Sequence, residues 1–521
     1  MSVRRAAAAV LPLLLVAAGP APKPRIEITE VTLGNGMRWL LFPRTDAPTI
    51  SAGWVAHVGS VNEREGITGI SHLFEHMMFK GTHAIGTRDI AADLRIIEEQ
   101  EKVRELMRSE LKVMRERLRR GEIDDLLKQE NQTARYRELE AQFEELVGKQ
   151  REIVIKDQMD QIYTRNGGQE LNAFTTEDLT AYFVRLPSNR LELWAWMESD
   201  RLMNPVFREF YSERDVVFEE RRMRTESTPL GKFDEAMNAL FWEAHPYKWP
   251  VVGWPSDIPA ITKAEADEYF GTYYAPNNLT GVLVGDFDPA AARAVIERYF
   301  GRIPRGAKEP PEMVTLEPAQ LGEKRFNAEA ETPPTVRVWW HAVPFVHKDR
   351  TALDLLSDLL TGRTGRLYKS LVLRRQIANE VEASVDLKKY AGSFEVESVV
   401  KEGQDPAAVE AAIHEEIARL QKEPVPADEL QKIKNQGKAS AFRRLSSPFS
   451  IMIQLLYYDG LGDWKYINSY ADEVDGVTAE DLQRVSRTYL TKENRTVAVF
   501  LRKEPAGGEA AAAPPPGGGT R

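Results

Sequence analysis

In the run Gly69-Ile70-Ser71-His72-Leu73-Phe74-Glu75-His76-Met77-Met78-Phe79, two imidazoles and a carboxylate stand three and four residues apart. On a helix, positions i and i+4 share a face one turn apart, and i+3 lies beside them. His72 and His76 can therefore grip one Zn²⁺ while Glu75 points at the metal's open position. There Glu75 can take a proton from an attacking water whose acidity the metal has raised. Ile70, Leu73, Phe74, Met77 and Phe79 make the rest of the segment apolar, and polar groups in such a helix are costly to bury unless something binds them. A single histidine is more often a core or cap residue than a ligand. With 8 His in 521 residues, a pair four apart with Glu before the second arises by chance on the order of once in a hundred such chains.

A firm zinc site needs a third protein ligand, and the chain has no Cys, so that ligand is His or carboxylate. The missing cysteines also exclude disulfides, thiolate zinc sites, iron–sulfur clusters and a Cys nucleophile. The downstream candidate is Glu213-Arg214-Asp215-Val216-Val217-Phe218-Glu219-Glu220. Glu213 and Glu220 are seven apart and share a helix face; one can ligate the metal while the other hydrogen-bonds a ligand His. Taken alone the stretch is weak, since acidic helical turns usually face solvent.

Several elements must position these groups. Val31 to Phe42 carries a Gly-Asn-Gly turn between apolar runs, a hairpin signal. Thr49 to Ser60 alternates Ile50, Ala52, Trp54, Ala56 and Val58, as a half-buried strand does. From Ala91 to Asp160, charges of both signs crowd a sparse apolar stripe that includes Val103, Leu106, Met114, Leu118, Leu139, Phe143 and Leu146, broken at Arg119-Arg120-Gly121-Glu122. This pattern predicts two long antiparallel helices, a coiled-coil hairpin that is either a docking arm or a plain solvated excursion. Residues 304–322 are Pro-rich and read as a linker between globular halves at 25–303 and 323–503. Ile261 to Gly285 aligns without a gap onto Val477 to Leu501, with Thr262/Thr478, Tyr273/Tyr489 and Asn278/Asn494 among the identical pairs. Each copy is an amphipathic helix, a turn and an apolar strand, so the halves read as tandem α+β domains.

At the N-terminus, Arg4 and Arg5 precede an apolar run from Ala6 to Ala18 and small residues up to Ala21, an export signal over 1–21. The expected location is the periplasm or the exterior. The tail from Glu504 is low in complexity and expected to be disordered. A net charge of −10 argues against a nucleic-acid partner, and no apolar run reaches the ~20 residues of a membrane span.

The residues resemble the pitrilysin/insulinase family of zinc metallopeptidases from Glu27 to Lys503, the charged helical stretch excepted. His72-x-x-Glu75-His76 matches the family's inverted zinc motif, and Glu213-Arg214-Asp215-Val216-Val217-x-x-Glu220 resembles its distal motif. The resemblance implies one Zn²⁺ per chain on His72, His76 and Glu220, Glu75 as base, and Glu213 as an auxiliary glutamate. It implies that Asn172, Ala173, Phe174 and Thr175 form an edge strand pairing with the substrate backbone. The implied fold is half a clamshell: two homologous domains, each an antiparallel-rich sheet packed with helices, the helical hairpin inserted in the first.

Two departures stand out. His76 and Glu220 are 144 residues apart, about twice the usual family spacing, and the excess is the length of the helical stretch. In Leu371 to Asn379, the positions matching the family's distal Arg and Tyr hold Val372 and Asn379. The expectation is therefore a heterodimer with a related subunit lacking the zinc motif, acting on peptides or unfolded chains. The rival from another class is a non-catalytic structural or binding subunit of an envelope complex using the helical arm. Such relatives usually have broken zinc motifs, whereas this one is intact.

Overall fold

A computed structural model describes residues 25–126 and 128–503; the expected export signal and the tail from Glu504 lie outside the described residues. The first half runs β1 (Thr29–Thr32), β2 (Arg38–Pro43), β3 (Thr49–Ala56), α1 (Ile70–Met77), α2 (Ile90–Arg119), α3 (Ala134–Ile153), α4 (Gln158–Arg165), β4 (Gln169–Thr175), β5 (Thr180–Pro187), α5 (Leu191–Met203), α6 (Phe210–Arg221), α7 (Gly231–Phe241), α8 (Lys263–Tyr273), β6 (Leu279–Gly285) and α9 (Pro289–Phe300). The second runs β7 (Lys324–Ala330), β8 (Thr335–Ala342), α10 (Arg350–Leu360), β9 (Ala378–Leu387), β10 (Gly392–Val400), α11 (Pro406–Lys422), α12 (Ala427–Arg444), α13 (Pro448–Gly460), α14 (Tyr466–Gly476), α15 (Ala479–Tyr489) and β11 (Arg495–Arg502).

The two sheets share one plan. The first has strand order β1-β2-β6-β3-β5-β4 and the second β7-β11-β8-β10-β9. Without β1 they match strand for strand: β2·β6 and β7·β11 are parallel, and every other pair is antiparallel. The residue pairs that align between the halves do equivalent work. Thr262 and Thr478 open α8 and α15 with capping boxes closed by Glu265 and Asp481, satisfying helix-start donors reciprocally. Asn278 and Asn494 each donate to a tyrosine carbonyl, Tyr273 or Tyr489, at 2.8 Å, fixing the turn into the strand.

β3 departs from the half-buried expectation, since Ile50 to Ala56 are buried on both faces. The second half supplies the cover: α13 packs over β3 and β6, and Leu456 reaches Gly53. The approach is so close that a Cβ on Gly460 would lie 2.4 Å from Leu179 Cδ2. In return, α7 crosses to the second sheet, where Met237 joins Ala498 and Phe500, and Phe241 stacks on His341 with ring centroids 3.9 Å apart. The halves thus exchange helices and share a core in which Leu40, Val55 and Val282 meet Leu455 and Leu456. Residues 304–322 carry no regular structure but are pinned: the Glu317 carboxylate accepts the backbone N–H groups of Glu243, Ala244 and His245 at 2.7, 3.1 and 2.9 Å.

The charged stretch forms the hairpin of α2 and α3. It leaves and re-enters at one place: Thr87 bridges Val154, and the Arg88 N–H donates to the Ile153 carbonyl at 2.9 Å. The body of the fold therefore closes as though the hairpin were absent. The buried seam differs in part from the stripe read from sequence. Val103, Met107, Met114, Leu139, Phe143, Leu146 and Val147 are buried, whereas Leu106 and Leu118 are exposed. Near the base the seam is polar: Gln100 donates to Gln150, Gln150 to Asp93, and Arg208 closes the chain on Asp93 at 2.5 Å. Buried polar groups must all be partnered, and this ladder satisfies them while fixing the register of the two helices.

Candidate metal centre

The site is built on α1. Its first residue follows Gly69, whose backbone sits at φ +92°, a region that favours glycine, and a Cβ there would meet the Val252 carbonyl at 2.5 Å. The Glu63 carboxylate accepts the N–H groups of Gly69 and Ser71, both at 2.8 Å, and so anchors the start of the helix. Leu73 and Phe74 bury the inner face. The other face carries His72 and His76, whose rings stand 5.0 Å apart at 79°.

α6 brings the carboxylates. His76 Nε2 lies 3.3 Å and His72 Nε2 3.7 Å from the same oxygen of Glu220. A tetrahedral zinc with ligands at about 2.0–2.1 Å sets its donors roughly 3.3–3.4 Å apart, so the spacing fits. Among the described residues, His72, His76 and Glu220 form the group able to hold a metal, their ligand atoms all within 4.8 Å of one another. Glu213 takes the other part: its carboxylate accepts from His76 Nδ1 at 2.9 Å, leaving Nε2 bare to ligate. His72 Nδ1 is buried without a hydrogen-bond partner among the described residues, so helix packing sets this ring's orientation.

The electrostatics agree with a cation. Burial, aided by His76 and Arg224, pushes His72 down to about 3, which keeps it neutral, the form that ligates. Burial also opposes charge on His76, but Glu213, Glu220 and Glu75 outweigh it and hold this imidazole above its ordinary value. The same negative field favours a divalent ion. Glu213 is held down to about 2 despite burial by His76 and Lys80, whose Nζ is 2.5 Å away. Arg224 pairs with Glu220 Oε1 at 2.8 Å across a π-helical turn, Arg222–Glu226, leaving Oε2 toward the histidines. Neither Lys80 nor Arg224 came out of the sequence reading. Both had a signal there: Lys80 stands four residues after His76, just past the end of α1, and Arg224 four after Glu220.

Glu75 projects from α1 toward β4, the outer strand of the sheet, and Thr175 Oγ1 donates to its Oε2 at 2.7 Å. Burial raises its pKa against the opposing Thr175 hydrogen bond and His76. β4 pairs with β5 alone. Its ladder slips between Gln169 and Asn172, with Glu170 at φ +57°. Along it Ala173 is buried and Phe174 lies against Phe183, while Asn172 is exposed and its Oδ1 accepts from the Ala173 N–H. Every candidate ligand, base and substrate-strand residue is thus on α1, α6 or β4, whereas Val372 and Asn379 lie in the second half, on a π-helical turn and on β9. The remaining histidines do other work: His245 caps a turn and packs on Tyr247, and His57 lies 3.1 Å from Asp459 at the seam between halves.

The mixed α/β fold in two similar halves, with the His72–Glu75–His76 helix on the first, matches the fold of M16 structures. Two family models match the chain: Insulinase (Peptidase family M16) over residues 41–98 and Peptidase M16 inactive domain over 260–436. The zinc protease PqqE of Helicobacter pylori is 26% identical over 489 residues, spanning 91% of this chain and 92% of that one. The crystal structure of a protease from Helicobacter pylori superposes with a TM-score of 0.73 at 23% identity, covering 91% of this chain and all of the other. Pitrilysin superposes with a TM-score of 0.66 at 16% identity, covering 94% of this chain but 46% of its own. The chain is thus a homologue of the insulinase, or M16, zinc proteases.

Proposed function

We propose that this chain is an exported zinc-dependent endopeptidase. The observation that carries the reading is Glu75, a half-buried carboxylate held by Thr175 of an edge strand and set beside the His72–His76–Glu220 cluster. A zinc ion held by those three residues would supply the Lewis acidity that polarises the peptide carbonyl and acidifies water. The chain's own groups do the rest. Glu75, raised by burial, takes the proton of the attacking water and returns it to the leaving amine. Glu213 keeps His76 in the ligating tautomer. The free edge of β4 offers backbone donors and acceptors to an added substrate strand, so recognition is mostly of main chain, with loose side-chain preference.

A partner completes the reading. The chain spans about half of pitrilysin, and Val372 and Asn379 stand where the family's distal Arg and Tyr are expected. A related subunit without the zinc motif would supply the facing half of the chamber. Full peptidase activity by the purified chain alone would remove that requirement. The central test is Glu75→Gln, which keeps the ligands and removes the base. It should hold zinc at the wild-type stoichiometry and lose about 10²–10⁴-fold in peptide hydrolysis. A variant that cleaves at the normal rate would sink the mechanism.

A further inference from the structure

The helical arm meets the body of the protein at a cleft of about 110 Å³ lined on one side by α2 and on the other by α6 and the loop before α8. Five cations line it, Arg104, Arg108, Lys112, Arg115 and Arg214, and no carboxylate does. In a chain of net charge −10 this is a marked local reversal. Four of the five lie on α2 at successive turns of one face, so helical geometry rather than accident gathers them.

Arg108 is neutralised by Glu101 and Glu105, and its Nη1 donates to the Tyr211 hydroxyl at 3.3 Å. The others are not answered in this way. Arg104 has no hydrogen bond or ion pair among the described residues; its guanidinium is sandwiched 3.8 Å from the Phe143 ring centre and 4.4 Å from that of Tyr211. Arg214 is 8% exposed, donates one Nη1 bond to the Ile261 carbonyl at 3.2 Å, and leaves Nε without a partner. Its nearest carboxylate, Asp215, is 3.8 Å away and largely exposed. Burial and the repulsion of Arg104 both hold Arg214 below its ordinary value, and burial does the same for Arg104 despite Asp215 and Glu144 nearby. Lys112 and Arg115 stand exposed at the rim.

Stacking on aromatic faces offsets part of the cost of these charges, Arg104 over Phe143 and Tyr211 and Arg214 5.0 Å from the Tyr211 ring centre. It does nothing for the two buried Nε–H groups, which lie in the ring plane and want an acceptor. We propose that this cleft is a binding site for a phosphate group, free or on a small molecule, clasped between Arg104 of the arm and Arg214 of α6. A dianion suits several unanswered cations better than a monovalent carboxylate, and its oxygens can take forked guanidinium bonds from both sides. Met107, Leu111 and Pro259 close the remaining walls and limit the ligand's size. A ligand here would tie the arm to the helix that carries Glu213 and Glu220.

The test uses the full chain, stripped of divalent metal and dialysed so that phosphate has no metal to bind. Inorganic phosphate is titrated at constant ionic strength against chloride and, separately, acetate, following ³¹P line width and the thermal midpoint. Phosphate should broaden its ³¹P line and raise the midpoint, with chloride and acetate doing neither. Arg104→Gln should weaken binding about tenfold or more. The exposed double substitution Lys112→Gln with Arg115→Gln, which leaves the packing intact, should weaken it about threefold. No response beyond the chloride control would overturn the proposal, as would an equal response to acetate or unchanged affinity in both variants.

Discussion

The two halves run the same chain path to opposite ends. In each, a helix follows the third strand of the shared plan and packs against a later helix: α1 against α6, and α10 against α12. In the first half, α1 presents His72, Glu75 and His76, and α6 answers with Glu213 and Glu220. In the second, α10 has no His, and the groups one turn apart on its polar side are Asp354 and Asp358. α12 answers with Arg444, while its Lys432 and Lys438 donate to Thr364 and Asp475. Asp354 accepts from the Tyr470 hydroxyl at 2.8 Å, and Arg444 acts on both aspartates. One half concentrates donors and negative charge that call for a cation; the other buries two acids beside a tyrosine hydroxyl and within the field of one arginine. The difference teaches that the second half's contribution is mechanical. Its α13 covers the sheet that holds the metal helix, and the first half's α7 repays the cover on the other sheet.

If that division is right, the largest effects come from changing the donors of α6. Glu220→Gln removes a ligand and should deplete zinc and abolish hydrolysis, exceeding the ~10–100-fold loss that outer partners cause. Glu213→Gln should fall within that ~10–100-fold range, because His76 stays in place but loses the acceptor fixing its tautomer. Metal analysis by chelator competition distinguishes the two. Equal zinc retention in both variants would break the assignment of roles.

The next effect tests the mechanical half. Asp459, at the end of α13, is 2% exposed, bonds Arg38 and lies 3.1 Å from His57, so it links α13 to β2 and to the end of β3. Burial opposes its charge, yet His57 and Arg38 win and hold it down to about 2 from 3.8. A depressed carboxylate stabilises the fold above its unfolded value, and that stability is lost as pH falls from about 4 through about 2. Asp459→Asn should therefore cost about 2–3 kcal/mol at neutral pH and flatten the acid limb of the stability curve, as urea unfolding at several pH values would show. A variant as stable as wild type would mean the exchanged helix is held by apolar packing alone.

The site was more legible in the sequence than the way the halves lock together. His72, Glu75 and His76 lie within five residues, so helical periodicity alone sets their geometry. Glu220 needed the family resemblance, since its distance from His76 along the chain carries no geometric information. The repeat between Ile261–Gly285 and Val477–Leu501 was readable because the capping threonines and the turn asparagines do the same local job twice. The exchange of α7 and α13 was not readable. Alternation along Thr49 to Ser60 reports one buried face, and Ser51, Gly53 and Val55 gave no sign that a helix some four hundred residues later covers the other. The polar ladder of Asp93, Gln100 and Gln150 was hidden for a related reason: buried polar residues look like a solvated face until their partners are known.

The smallest effect sharpens the contrast from the second half. Asp358, on α10, is pushed up to about 6 by burial and by Asp354, with Arg444 working against both. A carboxylate raised from 3.8 to about 6 opposes folding once it ionises, so this group draws stability down as pH rises through that window. After discounting for partial solvent contact, Asp358→Asn should gain about 1–2 kcal/mol at pH 7 and leave stability unchanged near pH 4. Peptide hydrolysis and zinc content should not move, because the residue lies on the helix that corresponds to α1 without sharing its chemistry. A loss of activity would show that the acidic pair contributes to the reaction, and the division between a chemical half and a mechanical half would fail there.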